Sequence, residues 1–340
     1  MKPETNNAHG DFEGKVVIIT GAATGIGLAT TKLFVSRGAL IVAEDINPDV
    51  KTVFADNDRI VPFVGDVATE EAAQDVVALA VERFGKLDIL VNNAASIVYK
   101  NAIDMSLDEW NSIIGISATG VFLHSREALK AMISNKSCAI VNIGSYACYF
   151  TFPGISAYTA AKGALAQITR TLAVEAIEHG IRVNAVGAGD VVTNLLNSFR
   201  DDGREFLAKH GKLAPIKRAA QPEEIAEIVA FLASDRASFV VGVCPYGRWR
   251  HERDHSMSRK DARTAPNHAM QRTAGRLGSS LSMKFYSQPA ATRQPSLSFV
   301  SLDGEVYPAA HVLCCRVLDS RDIEASGSHR RPTREHSKAI

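Results

Sequence analysis

Between Val16 and Val186 the chain alternates short, unbroken apolar runs with longer stretches in which apolar residues recur every three or four positions. The runs cover residues 16–20, 40–43, 60–64, 87–91, 139–143 and 181–186. They show no polar alternation, the pattern of strands buried on both faces, as in a parallel sheet covered by helices. The periodic stretches predict helices. Residues 25–36 place Ile26, Ala29, Leu33 and Phe34 on one face, and residues 69–84 start at Thr69, an N-cap residue type. Residues 107–134 predict a helix broken near Gly115 or Gly120, and residues 156–179 a long unbroken one. Residues 47–59 leave little room for a full helix between the second and third strands. Repeated βα units with short connections predict one α/β domain, a doubly wound parallel sheet with right-handed crossovers.

After Gly242 the pattern stops. Residues 243–340 hold half of the twelve prolines, many Ser and Arg, and few periodic apolar positions. Residues 297–300 and 311–317 read as short strands at most. The expected division is a polar extension over 1–11, a catalytic domain over 12–242 and an irregular, disordered tail over 243–340. Charge divides the same way. The net charge is +1, yet residues 243–340 carry 16 Lys+Arg against 9 Asp+Glu, leaving 22 against 28 in residues 1–242. The tail's arginines are scattered among prolines and acids with no nucleic-acid-binding module, so a small molecule is the expected partner.

Composition adds limits. An apolar content of 46% with 22% charged residues is that of an ordinary globular protein. No apolar run approaches the ~20 residues of a membrane span. Met1–Asp11 lacks the apolar core of a secretory signal. Five cysteines, an odd number without metal or redox spacing, fit a reducing cytoplasm. No metal site is expected.

The first chemistry-bearing motif is Thr20-Gly21-Ala22-Ala23-Thr24-Gly25-Ile26-Gly27, placed where a strand turns into a helix. There Gly21 permits the tight turn, Gly25 lets backbone approach a pyrophosphate, and Gly27 lets helix and strand pack closely. The free N–H groups of the helix N-terminus face the phosphates. Asp45 ends the second strand 18 residues after Gly27. A carboxylate there accepts from ribose hydroxyls and repels a 2′-phosphate, which predicts NAD over NADP.

Further motifs follow each strand: Gly65-Asp66-Val67, Asn92-Asn93-Ala94-Ala95, Ser145, and Tyr158-Thr-Ala-Ala-Lys162. Ile181-Arg-Val-Asn184, Gln221-Pro-Glu-Glu-Ile-Ala226 and Phe231-Leu-Ala-Ser234 continue the series. With these the chain, from Phe12 to about Gly242, resembles the short-chain dehydrogenase/reductases. The resemblance implies a Rossmann-like fold and an NAD-dependent oxidoreductase acting on a secondary alcohol or ketone, assembled as a homotetramer or dimer. It implies that Asp66 and Val67 contact adenine, that Asn93 and Ala94 line the ribose and nicotinamide side, and that Val191 and Thr193 hold the carboxamide. Lys162 then also holds the nicotinamide ribose.

Tyr158 and Lys162 stand four apart, on one helix face. Hydride transfer from an alcohol needs a base for the hydroxyl proton, and the reverse needs an acid. A free tyrosine has a pKa of ~10, and bringing it to ~7 takes ~4 kcal/mol. One ammonium at ~4 Å supplies about that at an effective dielectric of ~20. On this reading Lys162 tunes Tyr158, and Ser145 donates to the substrate oxygen.

The chain departs from the family pattern in four places. Ser117 stands where the family has an asparagine that holds a relay water; a hydroxyl offers fewer hydrogen-bonding groups. Gly187-Ala188-Gly189 lacks the usual proline before its second glycine. The link over 47–59 is short. Beyond Gly242 the normal seventh strand and its Asp-Gly-Gly ending are missing. Codons compatible with Gly247–Arg253 read Asp-Gly-Gly-Ala-Thr-Ser-Gly one base over, so a frameshift is one account of the tail, and the gene sequence tests it. Such a replacement exposes a sheet edge and puts oligomer assembly in question. The alternative to an active enzyme is therefore a dinucleotide-binding relic or sensor without turnover.

Overall fold

The computed structural model describes residues 11–135, 137–244, 298–300 and 306–308. Residues 1–263 form one unit and 264–340 a second. In the first, six parallel strands lie in the order β3-β2-β1-β4-β5-β6. They are β1 (Val16–Thr20), β2 (Leu40–Asp45), β3 (Ile60–Val64), β4 (Ile89–Asn92), β5 (Cys138–Ser145) and β6 (Ile181–Ala188). The helices are α1 (Gly25–Ser36), α2 (Val50–Val53), α3 (Glu70–Phe84), α4 (Leu107–Ile114), α5 (Gly120–Met132), α6 (Ser156–Ala176), α7 (Gly203–His210) and α8 (Pro222–Ala233). The doubly wound sheet expected from the apolar runs is present, Rossmann-like in strand order.

Strand geometry sorts the core into two layers, because successive side chains point to opposite faces. Val17, Ile19, Ile41, Val91 and Val141 pack with Phe34 of α1 and Ile225 and Val229 of α8. Val16, Ile18, Val42, Leu90 and Ile140 pack with Val76 of α3, Met132 of α5 and Leu172 of α6. Each strand is thus apolar on both faces, which explains the unbroken runs. Pro62 lies in β3, an edge strand, where a missing N–H is tolerated.

Local chemistry sets the helix ends. The Thr69 hydroxyl accepts from Ala72 N at 3.2 Å and opens α3, and Gly85, in a left-handed conformation, closes it. The expected break in the 107–134 helix is a π turn over Gly115–Thr119 between α4 and α5. Only one helical turn, α2, fits between β2 and β3, as the short link implied. None of the described helices is long and apolar enough to cross a membrane.

No seventh strand follows β6 among the described residues of this unit. The β6 edge is nevertheless partly covered. Gly242 N donates to Val183 O at 2.9 Å, and Ala185 N to Val243 O at 2.8 Å. The Asn184 amide joins in, donating to Val240 O and accepting from Val243 N. The exposed edge expected from the sequence is to that extent corrected: residues 240–244 occupy it. In the second unit, β7 (Ser298–Val300) and β8 (Val306–Pro308) form an antiparallel pair. A strand at 297–300 had been expected. The expected strand at 311–317, the polar extension over 1–10 and most of the tail lie outside the described residues.

Candidate active site

The strand order reverses between β1 and β4, and a cleft opens beyond their C-terminal ends, where ligands bind in such sheets. The cleft has a volume of about 490 Å³. Gly21, Thr24, Gly25 and Ile26 form one wall. Gly21 and Gly25 have φ of +64° and +55°, which L side chains rarely adopt. A side chain at Gly27 would place its Cβ 2.0 Å from Gly21 O, so only glycine lets α1 start this close to the turn. The Thr24 side chain does not cap α1, leaving the first-turn N–H groups for an incoming anion.

Asp45, at the end of β2, also lines the cleft. Its Oδ2 accepts from Ala23 N and its Oδ1 from Asn47 N, each at 2.9 Å. The carboxylate is thereby fixed, with one acceptor site left on each oxygen. Asp66 and Val67 line the next stretch, and the Asp66 carboxylate accepts from Ala68 N at 2.9 Å. Asn93 and Ala94 follow β4 and face the same cleft. The Asn93 side chain mainly clamps the glycine turn, donating to Thr20 O at 2.9 Å and Gly21 O at 3.0 Å. Val191 and Thr193, on the loop after β6, complete the cofactor wall. These residues fit a dinucleotide: a glycine cradle that a Cβ would fill, a free helix N-terminus and a fixed carboxylate.

Ser145 ends β5, and Tyr158 and Lys162 rise from α6 into the same cleft. The Ser145 hydroxyl accepts from Ala147 N at 3.1 Å and hydrogen-bonds the Tyr158 phenol. Lys162 is 2% exposed, and its Nζ donates to Ile143 O at 2.7 Å. Ser117 is fully buried in the π turn, which packs against α6. Its hydroxyl accepts from Ser96 N at 3.4 Å. The structure thus brings fourteen sequence-predicted residues to one cleft wall or another, with Gly27 beneath the turn and Ser117 behind α6.

An enoyl-(acyl carrier protein) reductase family model of the short-chain type matches residues 21–246. This chain belongs to the short-chain dehydrogenase/reductase family. It is 40% identical over 236 residues to a cis-4-hydroxycyclohexanecarboxylate dehydrogenase of Sinomonas cyclohexanicum, covering 68% of this chain and 94% of that protein. It is 35% identical to a 3-oxoacyl-[acyl-carrier-protein] reductase FabG of Thermotoga maritima, covering 68% and 95%. Among solved structures it is similar to a 3-ketoacyl-(acyl-carrier-protein) reductase from Brucella melitensis complexed with NADH. That match has a TM-score of 0.63 and 31% identity over 68% of this chain and 96% of the other. The chain is thus an oxidoreductase of a family that binds a nicotinamide dinucleotide.

In this short-chain dehydrogenase/reductase burial acts on both Tyr158 and Lys162. Burial pushes Tyr158 up to about 12, outweighing the hydrogen bond from Ser145. Burial likewise pushes Lys162 down to about 8. Both groups are desolvated together, and the ammonium lies 5.7 Å from the Tyr158 ring centre, turned toward Ile143 O.

Three neighbours escaped sequence reasoning. Thr20 ends β1 at 2% exposure, and its Oγ accepts both Asn93 N and Ala94 N at 3.0 Å. Asp190 lines the cleft beside Gly189, and His210 of α7 binds it at 2.8 Å. A carboxylate in an otherwise apolar loop was the available signal for Asp190. Nothing local marks His210, twenty positions on. Among the described residues no cluster of three or more His, Cys, Asp or Glu could hold a metal.

Proposed function

We propose that this chain transfers a hydride between a secondary alcohol or ketone and NAD(H), with Tyr158 as general acid/base. The observation that carries the reading is convergence. Tyr158, Lys162 and Ser145 share one cleft with the glycine turn and Asp45, although they come from α6, β5, the β1–α1 turn and β2. When bound, the dinucleotide supplies the hydride acceptor and a positive ring. Tyr158 Oη takes or gives the hydroxyl proton, and Ser145 hydrogen-bonds the reacting oxygen. Lys162 holds the nicotinamide ribose and adds positive charge beside the phenol. Ser117 would hold the water that links Lys162 to solvent.

NAD is preferred over NADP because, among the described residues, no basic side chain lines the cleft beside Asp45; Lys162, the lining Lys or Arg among them, belongs to the catalytic group. The chain works as a homo-oligomer in the cytoplasm on this reading. The test is titration with NAD(H) and NADP(H), followed by a screen of secondary alcohols and ketones. Tyr158→Phe should retain cofactor affinity and lose roughly 10²- to 10⁴-fold in turnover. Tighter NADP binding overturns the cofactor assignment. Cofactor binding without hydride transfer to any substrate favours the sensor or relic reading.

A further inference from the structure

The substrate end of the cleft is short of charge. Its acidic and basic lining side chains are Asp45, Asp66, Asp190 and Lys162. Asp45 ends β2 and Asp66 follows β3, at the adenosine end, and Lys162 belongs to the catalytic group. Among the described residues Asp190 is the remaining charged side chain, tied to Tyr146 next to Ser145, in a cleft that Ile155, Leu195, Leu196 and Leu207 also line. A carboxylate costs free energy in such surroundings unless it is hydrogen-bonded.

Asp190 has partners on both oxygens. Its side chain is 12% exposed, and Oδ2 meets His210 Nδ1 at 2.8 Å. Oδ1 accepts from the Tyr146 phenol at a long 3.4 Å. Tyr146 directly follows Ser145 and itself lines the cleft. The hydrogen bond to Asp190 raises the pKa of His210, and the His210 ring stacks on Phe206, 5.7 Å between centres. Arg200 in turn covers Phe206 at 3.8 Å. Asp190 is therefore fixed from outside the cleft by a stack running along α7. Each carboxylate oxygen offers two acceptor sites and has one protein partner among the described residues. One site on each oxygen is left, and Asp190 itself lines the cleft.

We propose that Asp190, positioned by His210, accepts a hydrogen bond from a second hydroxyl group of the substrate, making neutral diols and hydroxyketones the preferred class. The inference rests on the hydride-transfer reading above and specifies its substrate. His210 takes one acceptor site of Asp190, and the rest of the carboxylate is an acceptor that a hydroxyl donor fits. A substrate carboxylate would meet Asp190 as a like charge with no lining arginine to pair with. A plain alcohol would leave the acceptor facing apolar carbon. Sites built to hydrogen-bond a hydroxyl discriminate strongly against analogues that lack it.

The experiment compares kcat/KM of the full chain with NAD for cyclohexanol, the cyclohexanediols and a hydroxycyclohexanecarboxylate. At least one diol should exceed cyclohexanol roughly tenfold or more, and the anionic probe should be the poorest. Asp190→Leu should bring the diol-to-alcohol ratio down to about 1, and His210→Phe should lower it in the same direction, mainly through KM for the diol. Asp190→Asn, which keeps an acceptor oxygen, should hold an intermediate ratio and serves if the leucine variant does not fold. An unchanged ratio in the folded variants, or a wild-type preference for the plain or anionic probe, overturns the proposal. If none of these probes is turned over, the hydride-transfer reading passes to the wider screen of alcohols and ketones. Calorimetric titration of a diol and of cyclohexanol into NADH-loaded chain then decides for Asp190. Equal affinities overturn its role, and tighter diol binding lost in Asp190→Leu supports it.

Discussion

Replacing Thr20 by valine should loosen the cofactor turn while leaving the strand in place. Valine keeps the shape and strand preference of threonine and removes only the oxygen. That oxygen accepts two backbone N–H groups, Asn93 and Ala94, both at 3.0 Å. A buried donor left without a partner costs ~1–3 kcal/mol, so two cost ~2–6 kcal/mol. Asn93 and Ala94 line the cleft, where water can reach the freed amides, which favours the lower end, about 2–3 kcal/mol. Against a typical total of ~5–15 kcal/mol this is a large fraction. Thr20→Ser keeps the oxygen and should cost only about 1 kcal/mol for the lost methyl. Urea unfolding of the three proteins measures the difference. NAD titration should show the second effect, weaker binding in the valine variant, because the Asn93 amide clamps Gly21 from the same strand end. If the valine and serine variants were equally stable, the account of Thr20 as the hinge pin of the turn would be wrong.

Two further outcomes follow from ionisable groups. The pKa of His210 is raised by its hydrogen bond to Asp190, so the pair's stabilisation is full below the unfolded value of ~6.5 and is lost as pH rises through the higher folded one. Amide exchange in α7 should therefore speed up with pH beyond the intrinsic trend, and His210→Gln should abolish that excess; persistence of the excess would rule the pair out. The hydrogen bond with Cys244 lowers the half-buried Cys148, while burial pushes the buried Cys138 up to about 11. At pH 7.5 iodoacetamide should modify Cys148 before Cys138, read by peptide mapping, and the reverse order would contradict the assignment.

The sheet could be read from the chain because its strands are buried on both faces. A run such as Val16-Val17-Ile18-Ile19 has no other economical fold beside an amphipathic helix. The residues that line the cleft were legible for a related reason: most follow a strand end, and the glycine turn restricts its own backbone. What sequence could not show is what depends on distance across the fold. Glu44 and His124 form a buried contact at 2.9 Å between β2 and α5, eighty positions apart, and neither residue signals the other. The same holds for Asp190 and His210. The burial of Tyr158 and Lys162 is a similar case. Spacing of four gave the proximity of Lys162, but the cost of burying both groups depends on the packing around α6.

The path of residues 240–244 along β6 gives the C-terminal side of this unit an unexpected reach. Tyr149, four positions after Ser145, donates its phenol to Cys244 O at 3.0 Å. The Cys148 sulfur accepts from Ser145 N at 3.4 Å and also contacts Cys244. Whatever pulls on the chain beyond Cys244 therefore pulls on the Ser145 segment through two separate threads. For an engineer, this makes residues 240–244 part of the active-site frame. A fluorophore, tag or fused partner joined just beyond them would act as a lever on turnover, and the seam for a silent attachment lies elsewhere on the surface.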